Sequence, residues 1–246
     1  MNTNPANRGF LCFSVGGNIV NRHLSGWTNT PSHKLISLLR LRSGTLGAIH
    51  GAPDQPTCRH CRNGTPESLF HILNICPAVQ GLHTLRHDKV KDMIADTLKE
   101  KGWIVLREHH IPITRNRQVK PDLIVIHPTR PLAFVFDVRI SYELNKDSLA
   151  KQDLGKRAKY SSYDQHILDY IRINYPDITK LEYFGLIFGS RGSFHCVTLN
   201  LLKDTFKFSD LRLGAIIDKI IDESLMIYSL FHGSSTSQPS DSSSAL

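Results

Sequence analysis

The sequence predicts an α/β protein in which a sheet flanked by helices follows a small zinc-binding module. Three observations carry that expectation. Segments of helical and strand period alternate through the chain in the order helix, strand, strand hairpin, helix, strand, strand, helix. Cys58, Cys61, His71 and Cys76 spell C-x2-C-x9-H-x4-C, a set of soft ligands suited to tetrahedral zinc. Asp122 and Asp137 stand at the ends of two strand candidates that are otherwise apolar, where a carboxylate needs a reason.

Composition narrows the function classes. The 246 residues are 40% hydrophobic and 21% charged, enough to bury one large core or two modest ones. Thirty Lys and Arg against 22 Asp and Glu leave a net charge of +8 and a pI near 9.3. That excess favours an anionic partner, nucleic acid before membrane. No run of 18 apolar residues is present, so no transmembrane helix is expected. Residues 1–5 lack the basic-then-apolar layout of a secretory signal. Five cysteines, three of them clustered, read as a metal site in a reducing compartment and exclude a secreted disulfide framework.

In chain order, residues 1–50 form a linker: an Asn/Gly/Thr/Pro-rich lead-in, expected to be poorly ordered, then a short basic helix over 34–42 with Leu35, Leu38, Leu39 and Arg42 at helical spacing. Docking on the next module and contact with nucleic acid are equal readings of that helix. The zinc knuckle spans 51–86 and opens on a Pro/Gly/Asp stretch at 51–56. A C-x2-C turn aims two thiolates at one point, and His71 and Cys76 close the set where a helical segment ends before Pro77. His60, His83 and His87 are alternatives to His71. The larger domain spans 87–232. Asp88 and Gly102 bracket an amphipathic helix with Val90, Met93, Ile94, Thr97 and Leu98 on one face. Strands are expected at 103–106, 123–126, 133–138 and 181–188, with a fifth candidate at 195–200 carrying Cys196 as a small core residue. A helical stretch over 143–175 is expected to break near Gly155. Ser209 and Asp210 cap a last helix bearing Ile216, Ile217, Ile220, Ile221 and Leu225. The Ser-rich segment 233–246 lacks the apolar residues that offset ordering entropy, so a disordered tail is expected.

The hairpin fixes a geometry. With Thr129 and Arg130 as its loop, Pro128 pairs with Pro131 and, counting outward, Asp122 falls opposite Asp137. Directly opposed residues have Cβ atoms roughly 4.5–5.5 Å apart, so the acids repel unless something neutralises them. A divalent cation would do so, and hard carboxylate oxygens suit Mg2+. Replacing either acid by Asn is expected to relieve the repulsion. On the next helix, Lys156 and Tyr160 are four apart and share a face from which they could reach a phosphate. Glu108 is a further candidate ligand, and Glu100 a weaker one.

The zinc set, Arg86-His87, Lys120-Pro121-Asp122, Asp137 and Lys156-x3-Tyr160, in that order over residues 34–230, resemble the C-terminal part of the Pol polyprotein of site-specific non-LTR retrotransposons that insert into ribosomal RNA genes. The resemblance implies a CCHC zinc knuckle followed by a restriction-endonuclease-like PD-(D/E)XK core, a mixed sheet flanked by helices. It implies Cys58, Cys61, His71 and Cys76 as zinc ligands, Asp122 and Asp137 as Mg2+-binding catalytic acids, and Lys156 and Tyr160 as helix residues associated with cleavage. Arg139 stands where the general nuclease pattern has a lysine, and in this family the lysine lies on the helix; Lys151 and Lys159 compete with Lys156 for that role. The implied activity is Mg2+-dependent nicking of target duplex DNA to prime reverse transcription. The implied partners are element RNA and a reverse transcriptase domain, which would lie upstream because no Tyr-x-Asp-Asp signature occurs here. A nuclear location follows from a DNA target. The alternative function is a non-catalytic, zinc-dependent nucleic-acid-binding module.

Overall fold

Strands set between two helical layers must be apolar on both faces, and the central strands here are. The computed structural model describes residues 10–26, 28–46, 56–61, 63–145 and 147–233. Residues 1–9 of the expected lead-in, most of the 51–56 linker and the tail from 234 lie outside the described residues. After a 3-10 turn (Phe10–Ser14), the helices are α1 (Asn18–Asn21), α2 (Ser32–Ser43), α3 (Gln80–Glu100), α4 (Ser148–Ser161), α5 (Asp164–Arg172), α6 (Cys196–Asn200) and α7 (Asp210–Gly233). The strands are β1 (Ile104–Arg107), β2 (Ile111–Thr114), β3 (Arg117–Val119), β4 (Leu123–Ile126), β5 (Leu132–Ser141), β6 (Lys180–Gly189) and β7 (Ser193–Phe194).

Five strands form a mixed sheet in the order β1-β4-β5-β6-β7, and β2-β3 form a separate two-stranded ribbon. β1, β4 and β5 are antiparallel neighbours; β5 and β6 run parallel from Leu132 opposite Lys180 to Ser141 opposite Gly189. The parallel pair needs a crossover, which α4 and α5 supply. The observed pairing of Leu123 with Phe136 and Ile124 with Val135 is the register expected from the hairpin. Alternation along the strands sorts side chains by layer. Leu123, Val125, Phe134 and Phe136 join Val90, Ile94, Ile216 and Ile220 of α3 and α7 on one face. Ile124, Ile126 and Val135 join Tyr160, Ile167 and Ile171 of α4 and α5 on the other. This mixed sheet flanked by helices, beside a Cys/His cluster, is the restriction-endonuclease-like arrangement that the resemblance implies.

The basic helix docks: Leu38, Leu41 and Arg42 of α2 are buried, and the Arg42 guanidinium donates to the Val20 carbonyl at 2.7 Å. Four expectations are corrected. α3 begins at Gln80, not at Asp88, because its first turns bury Arg86, 2% exposed, in place of an apolar stripe. The Arg86 guanidinium donates to the Leu73 carbonyl and the Ser224 hydroxyl. The helical stretch breaks at 162–163, not at Gly155; burial of Leu149, Asp153 and Tyr160 offsets the roughly 1 kcal/mol that a mid-helix glycine costs. Residues 195–200 are not a strand. Cys196 opens helix α6 and is exposed, while Thr198 Oγ1 accepts the Ile187 amide at 2.9 Å and so caps the sheet edge. The β2–β3 ribbon went unanticipated, being short, polar and interrupted by Pro112.

The knuckle does not have a core of its own. Cys58, Leu69, Ile72, Leu73 and Cys76 belong to the same buried cluster as Ile94 and Ile217.

Candidate metal centre and carboxylate site

The zinc set is assembled by local hydrogen bonds. The Cys58 amide donates to the Thr65 carbonyl at 2.9 Å, closing the turn that carries Cys61. His71 opens a π-helical turn (His71–Ile75), and Cys76 follows with extended backbone before Pro77. Cys58, Cys61, His71 and Cys76 bring one ligand atom each within 4.8 Å of one another; among the described residues this is the one such convergence of three or more His, Cys, Asp or Glu. The Cys58 and Cys76 sulfurs are 3.8 Å apart, and Cys61 Sγ is 3.4 Å from His71 Nε2. A tetrahedron with metal–sulfur arms of about 2.3 Å has S···S edges of about 3.8 Å, so the spacing fits zinc. Burial raises the Cys58 thiol, but donation from the Cys61 and His60 amides outweighs it and the net shift is downward. Burial pushes Cys76 up to about 11 and His71 down, which favours a neutral, ligating imidazole. The alternatives to His71 are engaged elsewhere: His60 Nε2 lies 2.7 Å from the Phe231 carbonyl, and His83 Nε2 lies 2.9 Å from that of Ile72.

The second constellation sits where β4 begins, beside the middle of the antiparallel β5. Asp137 is 5% exposed. Its Oδ1 accepts the Tyr160 hydroxyl at 2.6 Å, and its Oδ2 pairs with the Lys156 ammonium. Lys156 and Tyr160, one helical turn apart, thus reach one carboxylate. Lys159 Nζ lies 3.8 Å from Asp137 Oδ1 and donates to the Tyr160 hydroxyl at 3.0 Å. Burial, then the Asp137 charge, pushes Tyr160 far above the usual phenol range, so it stays a proton donor. Asp122 Oδ2 accepts the Val138 amide at 2.6 Å, which ties it to the strand that bears Asp137. Lys151 is exposed on α4, and Arg139 is exposed on β5.

His87 was read from the sequence as a spare zinc ligand and as part of the Arg86-His87 pair in the resemblance, with no role at the acids, yet it backs Asp122: Nε2 lies 3.2 Å from Asp122 Oδ2 and Nδ1 lies 3.0 Å from Asp88 Oδ1. Burial pulls its pKa down, but the two carboxylates outweigh burial and the net shift is upward. From Asp88 the charges alternate through Lys91 and Glu108 to Lys120. Glu108 therefore faces two ammonium groups, which hold its carboxyl at about 2; Glu100 lies at the far end of α3, paired with Arg212. A cleft of about 440 Å3 is lined by Cys76, His83, Arg86, His87 and Arg139, so it borders one member of the Cys/His cluster and the histidine behind Asp122. No spacing rule could have nominated His87, because its partner is 35 residues away.

The fold and these two sites define a class, an α/β restriction-endonuclease-like domain with a Cys3His cluster suited to a metal ion. No family model matches the chain. It is 31% identical over 199 residues to the Retrovirus-related Pol polyprotein from type-1 retrotransposable element R2 of Popillia japonica, covering 80% of this chain and 39% of that relative. A second relative of the same name, from Nasonia vitripennis, is 46% identical over 61 residues, 25% of this chain and 6% of the relative. Over 80% of its length, then, the homologues of this chain are R2 retrotransposon Pol polyproteins, and the chain spans about two-fifths of the length of the first of them. No described helix is long and apolar enough to cross a membrane.

Proposed function

We propose that this chain is the endonuclease module of a retrotransposon Pol polyprotein, which nicks one strand of target DNA so that a reverse transcriptase elsewhere in the polyprotein can extend the freed 3′-hydroxyl. The observation that carries the reading is the convergence of Lys156 and Tyr160 on Asp137, with Asp122 held beside it through the Val138 amide. Lys156 and Tyr160 both reach Asp137, and Asp122 is bonded to the next residue along β5.

Asp122 and Asp137 are the ligands for Mg2+: two carboxylates on adjacent strands are a hard-oxygen donor set. A divalent cation held there supplies Lewis-acid stabilisation of the charge that develops on a phosphodiester. The chain's own residues do the rest. Tyr160 holds Asp137 by donating its hydroxyl proton. Lys156, only 23% exposed, gives an ammonium that can pass from Asp137 to a phosphate oxygen. His87 and the Val138 amide orient Asp122. The net charge of +8 and the exposed Arg139 beside the cleft suit the phosphate backbone, and zinc held by the Cys3His set would brace the knuckle beside it. The site of action is the nucleus, where the DNA lies.

The test is plasmid nicking by purified protein, with Mg2+ or with EDTA. Nicking that requires Mg2+ and is lost in both Asp122→Asn and Asp137→Asn supports the reading. Nicking at the parental rate by both variants, or none by the parent, overturns it in favour of a zinc-dependent binding module.

A further inference from the structure

β1 and β4 lie side by side, with Arg107 opposite Leu123, so a turn of two to five residues would join them. Instead, residues 108–122 leave the sheet and return as the β2–β3 ribbon. The base of the ribbon is fixed: Ile111 and Val119 are buried with Ile124, Tyr160 and Ile167, and His109 Nδ1 lies 2.8 Å from the Tyr170 hydroxyl. Its tip is bare. Residues 114–118 are all exposed, and they read Thr-Arg-Asn-Arg-Gln, with Lys120 close behind and no carboxylate among them. The pairing slips between Pro112 and Thr114, an irregularity that adds twist. Arg117 is held in place, its guanidinium 5.1 Å over the Tyr163 ring and donating to the Tyr163 hydroxyl.

We propose that this ribbon enters the major groove of the target duplex, where Arg115, Asn116, Arg117 and Gln118 read base edges beside the cut. The proposal rests on the nuclease reading above and names how that site chooses its DNA. A B-form major groove, about 12 Å wide, admits a two-stranded ribbon; guanidiniums pair with guanine and carboxamides with adenine. The deep, narrow major groove of A-form RNA does not admit one. A tip with four long donors, no acid and a buried base has the chemistry of a reader, whereas a solvated turn needs neither the anchoring nor the guanidinium stack. The reach is set by the chain: five steps from residue to residue lead from Arg117 to Asp122, at most roughly 16 Å at strand rise, or about five base pairs at 3.4 Å each.

The experiment selects bound duplexes from a library with a randomised central segment, in EDTA, and separately maps nick positions with Mg2+. The proteins are the parent, Asn116→Ala, and a variant with all four tip residues changed to Ala. The parent should enrich a short motif containing guanine and adenine, placed within about five base pairs of the mapped nicks. Asn116→Ala should lose about five- to hundredfold of the discrimination at one position. The fourfold variant should lose the motif, yet keep an unchanged melting temperature and salt-dependent bulk binding. A motif that persists in the fourfold variant, or no enrichment by the parent, would overturn the proposal. A parental motif lost in the variant, with no nicking by any protein, defeats the nuclease reading and leaves the ribbon as a reader.

Discussion

Asp137→Asn should destabilise the protein, against the expectation that removing one of two facing acids relieves repulsion. The structure reverses the sign because Asp137 is already neutralised. Its side chain is 7% exposed and pairs with Lys156, itself 23% exposed, and it accepts the Tyr160 proton. Asparagine keeps the shape, and its carbonyl can still accept from Tyr160, but its NH2 then faces an ammonium, donor against donor. A hydrogen bond to a charged group contributes about 1.5–3 kcal/mol, and a fully buried broken pair costs about 3–5; Lys156 can partly escape to water, so about 2 kcal/mol is expected. In a chain of this size that lowers Tm by about 4–8 °C. Asp122→Asn should cost about 1 kcal/mol or less, since a carboxamide oxygen in the place of Oδ2 can accept from both the Val138 amide and His87 Nε2. Thermal and urea unfolding in EDTA measure both. The Mg2+ assignment has its own readout: saturating Mg2+ should raise the Tm of the parent and of neither variant. An Asp137→Asn protein as stable as its parent, or more so, would refute the argument that Lys156 compensates the acid.

Purified protein should carry one equivalent of zinc, and Cys61→Ser should release it; because Cys58 and Leu69 share a core with Ile217, the whole protein, not just the knuckle, should melt earlier, as circular dichroism would report. Glu108 titrates near 2 when folded and 4.5 otherwise. A depressed acid stabilises above its unfolded pKa and loses that contribution as pH falls toward the folded value, so Glu108→Gln should flatten the decline in stability between pH 4.5 and 2 in urea titrations. Lys156→Ala should cut nicking far more than Lys159→Ala, since Lys156 is the closer to Asp137; the opposite ranking in a nicking time course would shift the role by three residues along α4. Gly189→Ala should be among the most damaging single changes, about 3 kcal/mol or more, because its Cβ would collide with Glu143 Oε1 and Ser193 Oγ; a variant that melts like its parent would count against the packing of β6 on Glu143.

The sequence by itself determined what depends on short-range regularity. Cysteine spacing nominates the metal ligands, because a C-x2-C turn needs only local backbone to aim two sulfurs. Counting outward from the turn between β4 and β5 sets the register that puts Leu123 opposite Phe136 and so brings Asp122 beside Asp137. The spacing of four on α4 puts Lys156 and Tyr160 on one face. What needed the tertiary structure is everything held by partners far along the chain. Arg86 extends α3 because Leu73 and Ser224 await its guanidinium, and no hydrophobic period announces that. Residues 196–200 look like a strand by β-branched content, but the hydroxyl of Thr198 satisfies the Ile187 amide only from a helix. His87 joins the carboxylate site across 35 residues. The facing of two acids is a matter of register, which sequence period decides; whether they repel or are compensated depends on which cation the fold sets beside them, and that only the packing of α4 on β5 decides.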